Sequence, residues 1–238
     1  MPESRPAVFL LAGGRGMITR RGPDPLLQHV MRQSGAARPH IAYLGAASGD
    51  AAAFRVMIGR FLKQAGAGQV TLAPLCGRRA DRDRAQKVLS GADLVFVSGG
   101  DVEAGMRALR EADMVGFLRE LAQSGKRFFG LSAGSIMLAR QWVRWEDPGD
   151  DATAERFPCL GLADVWCDTH GEGEGWEELQ ALLRLAPEGS VGHGIVSGTA
   201  LVVSADGSVS ALGGEVHRFR REAGGVVRIA SLVPGAPD

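Results

Sequence analysis

The 238-residue chain contains no asparagine and only three lysines, Lys63, Lys87 and Lys126, so arginine carries nearly all its positive charge. That bias has the look of a GC-rich coding preference and carries no functional signal. Lysine plus arginine and aspartate plus glutamate both number 27. Without net charge there is no long-range field to gather a polyanion, which argues against a nucleic-acid partner. The three cysteines, Cys76, Cys159 and Cys167, are odd in number and far apart, with no C-x-x-C pair. They exclude a disulfide framework and read as free thiols in a reducing compartment. No apolar run approaches the ~18 residues that span a bilayer, and about six apolar residues near the N-terminus are too few for a signal-peptide core. The expectation is a cytoplasmic protein with no membrane partner. No repeat, low-complexity run or linker interrupts the chain, which reads as one domain over residues 1–238. Gly14-Arg15-Gly16 begins like a dinucleotide fingerprint, but the third glycine is missing and Thr stands at position 19. Neither a cofactor nor a metal is expected.

What the chain does contain is a series of short apolar runs separated by amphipathic stretches. Strands are expected at 7–12, 40–44, 70–73 and 93–97. Helices are expected at 24–32, from Asp50 to Gln64 with Asp50 as its cap, at 81–89, 102–110 and 115–123. Strands without alternation between such helices indicate an α/β fold whose mostly parallel sheet is buried on both faces. Gly13-Gly14, Gly45 and Gly99-Gly100 all fall at strand C-termini, the edge where ligands sit in such sheets. Residues 146–158 are acidic and turn-like. A short strand at 165–168, a helix at 176–185 and alternating strands from Thr199 onward follow, the last read as an antiparallel meander.

The stretch around which all this is arranged runs from Arg127 to Leu138. An apolar strand stops at Gly130-Leu131-Ser132-Ala133-Gly134, which fits the G-x-S-x-G elbow. There a buried strand turns sharply into a helix and lifts a serine hydroxyl above the sheet edge. A serine nucleophile needs a base, and a base needs an acid to orient it. Of five histidines, His29 lies within a helix, His40 heads a strand, and His217 alternates in the terminal strands where a solvent-facing position suits it. His193 lies in the glycine-rich Gly192-His193-Gly194 loop and stays a second candidate. His170 follows an apolar strand and precedes Gly171, which makes it the first. Acids lie between serine and base at Glu146, Asp147, Asp150 and Asp151.

Gly130-Leu131-Ser132-Ala133-Gly134, Ser98-Gly99-Gly100-Asp101 and Asp168-Thr169-His170 occur in the order seen in the peptidase E (alpha-aspartyl dipeptidase) and cyanophycinase family of serine peptidases. Leu212-Gly213-Gly214 and Val216-His217-Arg218-Phe219 also resemble that family's closing strands, so the resemblance covers nearly the whole chain. It implies a class I glutamine amidotransferase-like fold, a three-layer sandwich with serine replacing that superfamily's cysteine. It implies Ser132 as nucleophile, His170 as general base, and the N–H groups of Gly100 and Ala133 as oxyanion donors. Asp147 matches the triad acid at peptidase E spacing, and Asp150 at cyanophycinase spacing. Gly99, Asp101, Thr169 and Glu174 fall where substrate would bind. The implied partner is a small peptide substrate, handled by a monomer or homodimer.

Two departures stand out. Asp101 occupies the place of the family's usual asparagine, yet aspartate caps a following helix equally well. Where cyanophycinases carry arginines after the histidine, this chain has Gly171-Glu172-Gly173-Glu174-Gly175-Trp176-Glu177-Glu178. Aspartyl specificity therefore does not carry over, and neutral or basic dipeptides are expected to be better substrates than Asp-X. Should a substrate carboxylate be bound, Arg15 or Arg144 would have to hold it. Two other readings compete: an α/β-hydrolase esterase, which shares G-x-S-x-G, and an inactive binding module on the same fold. Against the esterase, only 38 residues separate Ser132 from His170 (170 − 132).

Overall fold

The computed structural model describes residues 5–14, 22–147 and 150–235. Arg15, Gly16 and Thr19 of the fingerprint-like segment, and Pro148 and Gly149 of the acidic stretch, lie outside the described residues.

The first half alternates strand and helix. Strand β1 (Val8–Leu11) leads to α1 (Pro25–Gln33), β2 (His40–Leu44), α2 (Ala52–Gln64), β3 (Gln69–Ala73), α3 (Arg82–Gly91) and β4 (Leu94–Val97). Helices α4 (Val102–Glu111) and α5 (Val115–Gln123) then precede β5 (Arg127–Leu131) and the short α6 (Ala133–Leu138). Strands β1, β5, β4, β2 and β3 lie side by side in that order, all parallel. Because side chains alternate across a strand, each one feeds two cores. Leu10, Val95, Val97 and Phe128 pack with α3 to α6, whereas Phe9, Ile41, Phe96 and Phe129 pack with α1 and α2. This is the expected three-layer arrangement, and each fully buried aromatic or Leu contributes roughly 1.5–3 kcal/mol.

Aspartates supply the helix caps. Asp24 Oδ1 accepts from the N–H groups of Leu26 and Leu27 at 2.9 and 3.1 Å. Asp81 accepts from Arg84 N–H at 2.9 Å, and Asp101 from Ala104 N–H at 2.7 Å. Asp50 departs from expectation. Helix α2 begins at Ala52 with no side-chain cap, and Asp50 Oδ2 instead accepts from both Leu75 and Cys76 N–H, each at 2.8 Å. Two donors from the loop after β3 outcompete a single cap bond.

The second half is less regular. The acidic turn-like stretch is partly a hairpin, β6 (Gln141–Trp145) against β7 (Ala154–Pro158). Only Val143 and Phe157 of its residues are buried, and the acidic, turn-like connection between the two strands hid the pairing. Then come β8 (Trp166–Thr169), α7 (Glu177–Arg184), β9 (Val191–Ile195), β10 (Ala200–Val203), β11 (Val209–Leu212), β12 (Val216–Glu222) and β13 (Gly225–Leu232). The C-terminal strands are antiparallel to their neighbours, as expected, but divide between two sheets. β10 and β11 extend the large sheet beyond β1 to seven strands, while β12 and β13 join β9 and β8 in a second, four-stranded sheet. Within that second sheet β8 and β9 are parallel. His193, expected in a loop, is buried in β9, where the flanking glycines let Leu179 and Leu183 of α7 and Trp176 pack directly on the strand.

Candidate active site

Ser132 sits one residue beyond β5 with φ 54° and ψ −125°, a region costing about 1–3 kcal/mol for a non-glycine residue. Its surroundings hold it there. The Ser132 N–H donates to Leu11 O at 2.9 Å, and the Ser135 hydroxyl donates to the same carbonyl at 2.8 Å. A Cβ on Gly130 would lie 2.5 Å from Ser135 N, and one on Gly134 only 2.1 Å from Val97 O. Both glycines of the elbow are therefore sterically required. Beside the serine, Gly100 has φ 144° and no room for a Cβ, which would lie 2.1 Å from Ala47 O. Gly99 abuts Ser132 itself. Among the described residues, no backbone acceptor engages the N–H of Gly100 or Ala133.

His170 comes from the other sheet. It follows β8, has φ 46°, and its N–H donates to Ile195 O at 2.9 Å. Its Nε2 lies 2.7 Å from Ser132 Oγ. The other histidines are engaged elsewhere. His40 Nε2 meets Thr71 Oγ1 at 2.8 Å, and His29 stands edge-on to Phe9. Burial drives His193 down to about 4. The expected solvent-facing position of His217 is not observed: its side chain is 17% exposed, and Nδ1 accepts from Trp176 Nε1–H at 3.0 Å. Nor do the thiols compete as nucleophiles, since burial pushes Cys76 up to about 11 and Cys159 to about 12.

The carboxylates divide into two groups. Asp147 and Asp150 stand at the exposed end of the β6–β7 hairpin, where Asp147 N–H donates to Thr153 Oγ1 and Asp150 Oδ1 accepts from Ala152 N–H. Neither borders the cleft that holds Ser132 and His170. Glu172, two residues past His170 in the acidic segment after it, lies outside the 146–151 stretch where the triad acid is expected. Burial raises its carboxyl, but hydrogen bonds from Ser197 and the nearby His170 charge hold it below the ordinary value. Its H-x-E spacing was the available signal.

The cleft itself has a volume of about 280 Å³. Gly100, Asp101, Ala133, Thr169 and Glu174 line it as expected, joined by Asp168 of the Asp168-Thr169-His170 motif, Glu178 of the acidic segment after His170, and Trp142, which carried no sequence signal. Asp168 is only 7% exposed. Burial first, then Glu178, Glu174 and Glu172, raise its carboxyl to about 7, against the N–H bond from Thr169. Among the described residues, no three His, Cys, Asp or Glu side chains converge to hold a metal ion, and no helix is long and apolar enough to cross a membrane.

This architecture recurs in known proteins. A peptidase from an acI-B1 actinobacterium superposes with a TM-score of 0.72, covering 99% of this chain and 97% of its own at 17% identity. A putative peptidase E from Listeria monocytogenes EGD-e gives 0.61, covering 87% and 97% at 15% identity. Among curated proteins, the pyridoxal 5'-phosphate synthase subunit PdxT of Methanopyrus kandleri is 38% identical over 77 residues, 32% of this chain and 38% of its own length. PdxT of Geobacillus thermodenitrificans is 28% identical over 121 residues, 51% and 55%. The chain thus spans about half the length of these relatives or less, and shares with them the glutamine amidotransferase-like fold. The family model of peptidase family S51 matches residues 9–210, a span that takes in both Ser132 and His170. The chain belongs to peptidase family S51.

Proposed function

We propose that the chain hydrolyses small peptides, with Ser132 as nucleophile and His170 as general base. The observation that carries this reading is the 2.7 Å approach of His170 Nε2 to Ser132 Oγ across two sheets. His170 takes the hydroxyl proton as Oγ attacks the scissile carbonyl, then returns it to the departing amine. The carbonyl oxygen, now negative, is met by the N–H groups of Gly100 and Ala133, each such donor being worth on the order of 10²–10³ in rate. A water activated by the same histidine releases the acyl group. A cleft of about 280 Å³ lies at the lower end of ligand-pocket sizes, which suits a dipeptide-sized substrate.

For the acid that orients His170, Glu172 is favoured over the hairpin residues Asp147 and Asp150. It lies two residues past His170, and its carboxylate is fixed by Ser197 N–H at 3.2 Å. The test of the whole reading is a fluorophosphonate probe. Wild-type protein should be labelled and Ser132→Ala should not, and a peptide-versus-ester panel should favour peptides. No labelling would leave a binding module; preference for esters would leave an esterase.

A further inference from the structure

The cleft beside Ser132 is lined by four carboxyl groups, those of Asp101, Asp168, Glu174 and Glu178, and by no arginine or lysine among the described residues. Asp101 caps α4, and Glu178 accepts a hydrogen bond from Trp142 Nε1–H at 2.7 Å, a neutral donor. Asp168 is more than nine-tenths buried, and the partner its carboxylate has is the N–H of its own neighbour, Thr169, at 2.7 Å. A buried carboxylate without a cation is costly to ionise, and Asp168 shows this in its rise to about 7. Arg144 does not line the cleft, and its guanidinium is taken up by Glu103 and Glu155. The cleft lining also includes the apolar side chains of Val102 and Ile136 and the Trp142 indole. An aliphatic stem would pack there, and a cation held against the indole face would gain further attraction.

We propose that this cleft selects peptides bearing a cationic nitrogen on the N-terminal side of the scissile bond, held by Glu174, Glu178 and Asp168 beside Trp142. The inference rests on the reading of Ser132 and His170 given above and names the substrate class of that site. The nitrogen is either the free α-ammonium of a dipeptide or the side chain of Lys or Arg at P1. Both present the same positive, hydrogen-bond-donating group to the carboxylates. An acidic P1 side chain would meet like charge, with no bidentate arginine to hold it.

The test compares kcat/KM for Lys-X, Arg-X, Leu-X and Asp-X dipeptides and their N-acetyl forms. Lys-X and Arg-X should exceed Asp-X, whose own α-ammonium is opposed by its side-chain carboxylate, by about tenfold or more, the scale of one close charge–charge contact. If the α-ammonium is what binds, acetylation abolishes cleavage throughout; if the side chain binds, acetyl-Lys-X survives and acetyl-Leu-X does not. Glu178→Gln, which keeps an acceptor for Trp142, and Glu174→Gln should each shrink the Lys-X to Asp-X ratio severalfold, mainly through KM. Glu177→Gln, on the exposed side of α7 and outside the cleft, should leave it unchanged. Preference for Asp-X, or a ratio untouched by both cleft variants, overturns the proposal. If no peptide of the panel is cleaved, the same peptides are scored as competitors of fluorophosphonate labelling. Protection by cationic and not acidic peptides then supports the proposal, and equal protection overturns it. Failure of the wild type to label at all would instead sink the Ser132 reading.

Discussion

Ser132 ends β5 in the middle of the seven-stranded sheet, between β1 and β4, whereas His170 ends β8, the edge strand of the four-stranded sheet. The local geometry is alike. Each residue lies one position past a strand, has positive φ (54° and 46°), and donates its N–H to the last carbonyl of the parallel neighbour, Leu11 or Ile195. The enclosure is different. Around Ser132 any added Cβ on Gly130 or Gly134 meets backbone at 2.1–2.5 Å. A Cβ on Gly171, next to His170, would lie 3.0 Å from the Trp176 ring and 3.2 Å from Asp168 Oδ2, both side-chain atoms. The large sheet fixes the serine rigidly, and the small sheet presents the histidine and the acidic loop with more latitude. Chemistry needs both, so the first prediction cuts one residue from each sheet. Ser132→Ala and His170→Ala should each lower kcat/KM on the order of 10⁴-fold with unchanged melting, since such residues act as a unit. A large loss from only one of them would mean the pair does not work together.

The difference in enclosure is tested by glycine substitution. Gly134→Ala drives a methyl into the Val97 carbonyl in the core of the large sheet, and should cost more than about 4 kcal/mol or prevent folding. Gly171→Ala has an ordinary φ of −87° and flexible neighbours, so about 1–2 kcal/mol is expected, with kcat lowered as the His170 loop shifts. Urea unfolding ranks the two, and equal costs would remove the contrast between the sheets.

A smaller effect separates the candidate acids. Glu172→Gln should lower kcat by about 10²-fold or more, while Asp147→Asn and Asp150→Asn, at the hairpin end, should each change it less than about threefold. The reverse order would return the acid to the β6–β7 hairpin.

The same contrast explains what the sequence revealed. Helices in the first half carry long apolar periodicities with aspartate caps at Asp24, Asp81 and Asp101, and the strands between them are buried on both faces. Both signals are local and strong. The glycines at 130 and 134 are forced by a steric limit that leaves no alternative residue, so the elbow was readable too. The hairpin β6–β7 buries only Val143 and Phe157, and its acidic connection looks like a turn; β9 reads as a glycine-rich loop because Gly192 and Gly194 make room for α7 and Trp176. Asp50 shows the limit at the level of one residue: its position suggested a cap, but tertiary donors at Leu75 and Cys76 claimed it. Trp142, Asp168 and Glu178 meet in the cleft from β6, β8 and α7, a convergence that no spacing in the chain encodes.

Two buried ionisable groups on adjacent strands of the small sheet give the last prediction. Asp168 on β8 is raised to about 7, by burial and then by Glu178, Glu174 and Glu172. His193 on β9 is lowered to about 4, by burial, against the Trp166 carbonyl and with the Arg218 charge adding to the shift. Between about pH 4 and 6.5 the native state holds a proton on Asp168 that the unfolded chain has lost, so stability falls as pH rises. Over the same window the unfolded chain protonates His193 and the native state does not, so stability rises with pH by a like amount. The two slopes oppose, each about 1.4 kcal/mol per pH unit at most. Single substitutions should expose them. Relative to wild type, Asp168→Asn should gain stability steadily from pH 4.5 to 6.5, and His193→Gln, which keeps a polar group toward Trp166, should lose it. Urea unfolding at half-unit pH steps measures both differences. Parallel curves for wild type and either variant would show that the group in question keeps its ordinary ionisation in the fold, and for Asp168 would remove the charge strain that a bound cation is proposed to relieve.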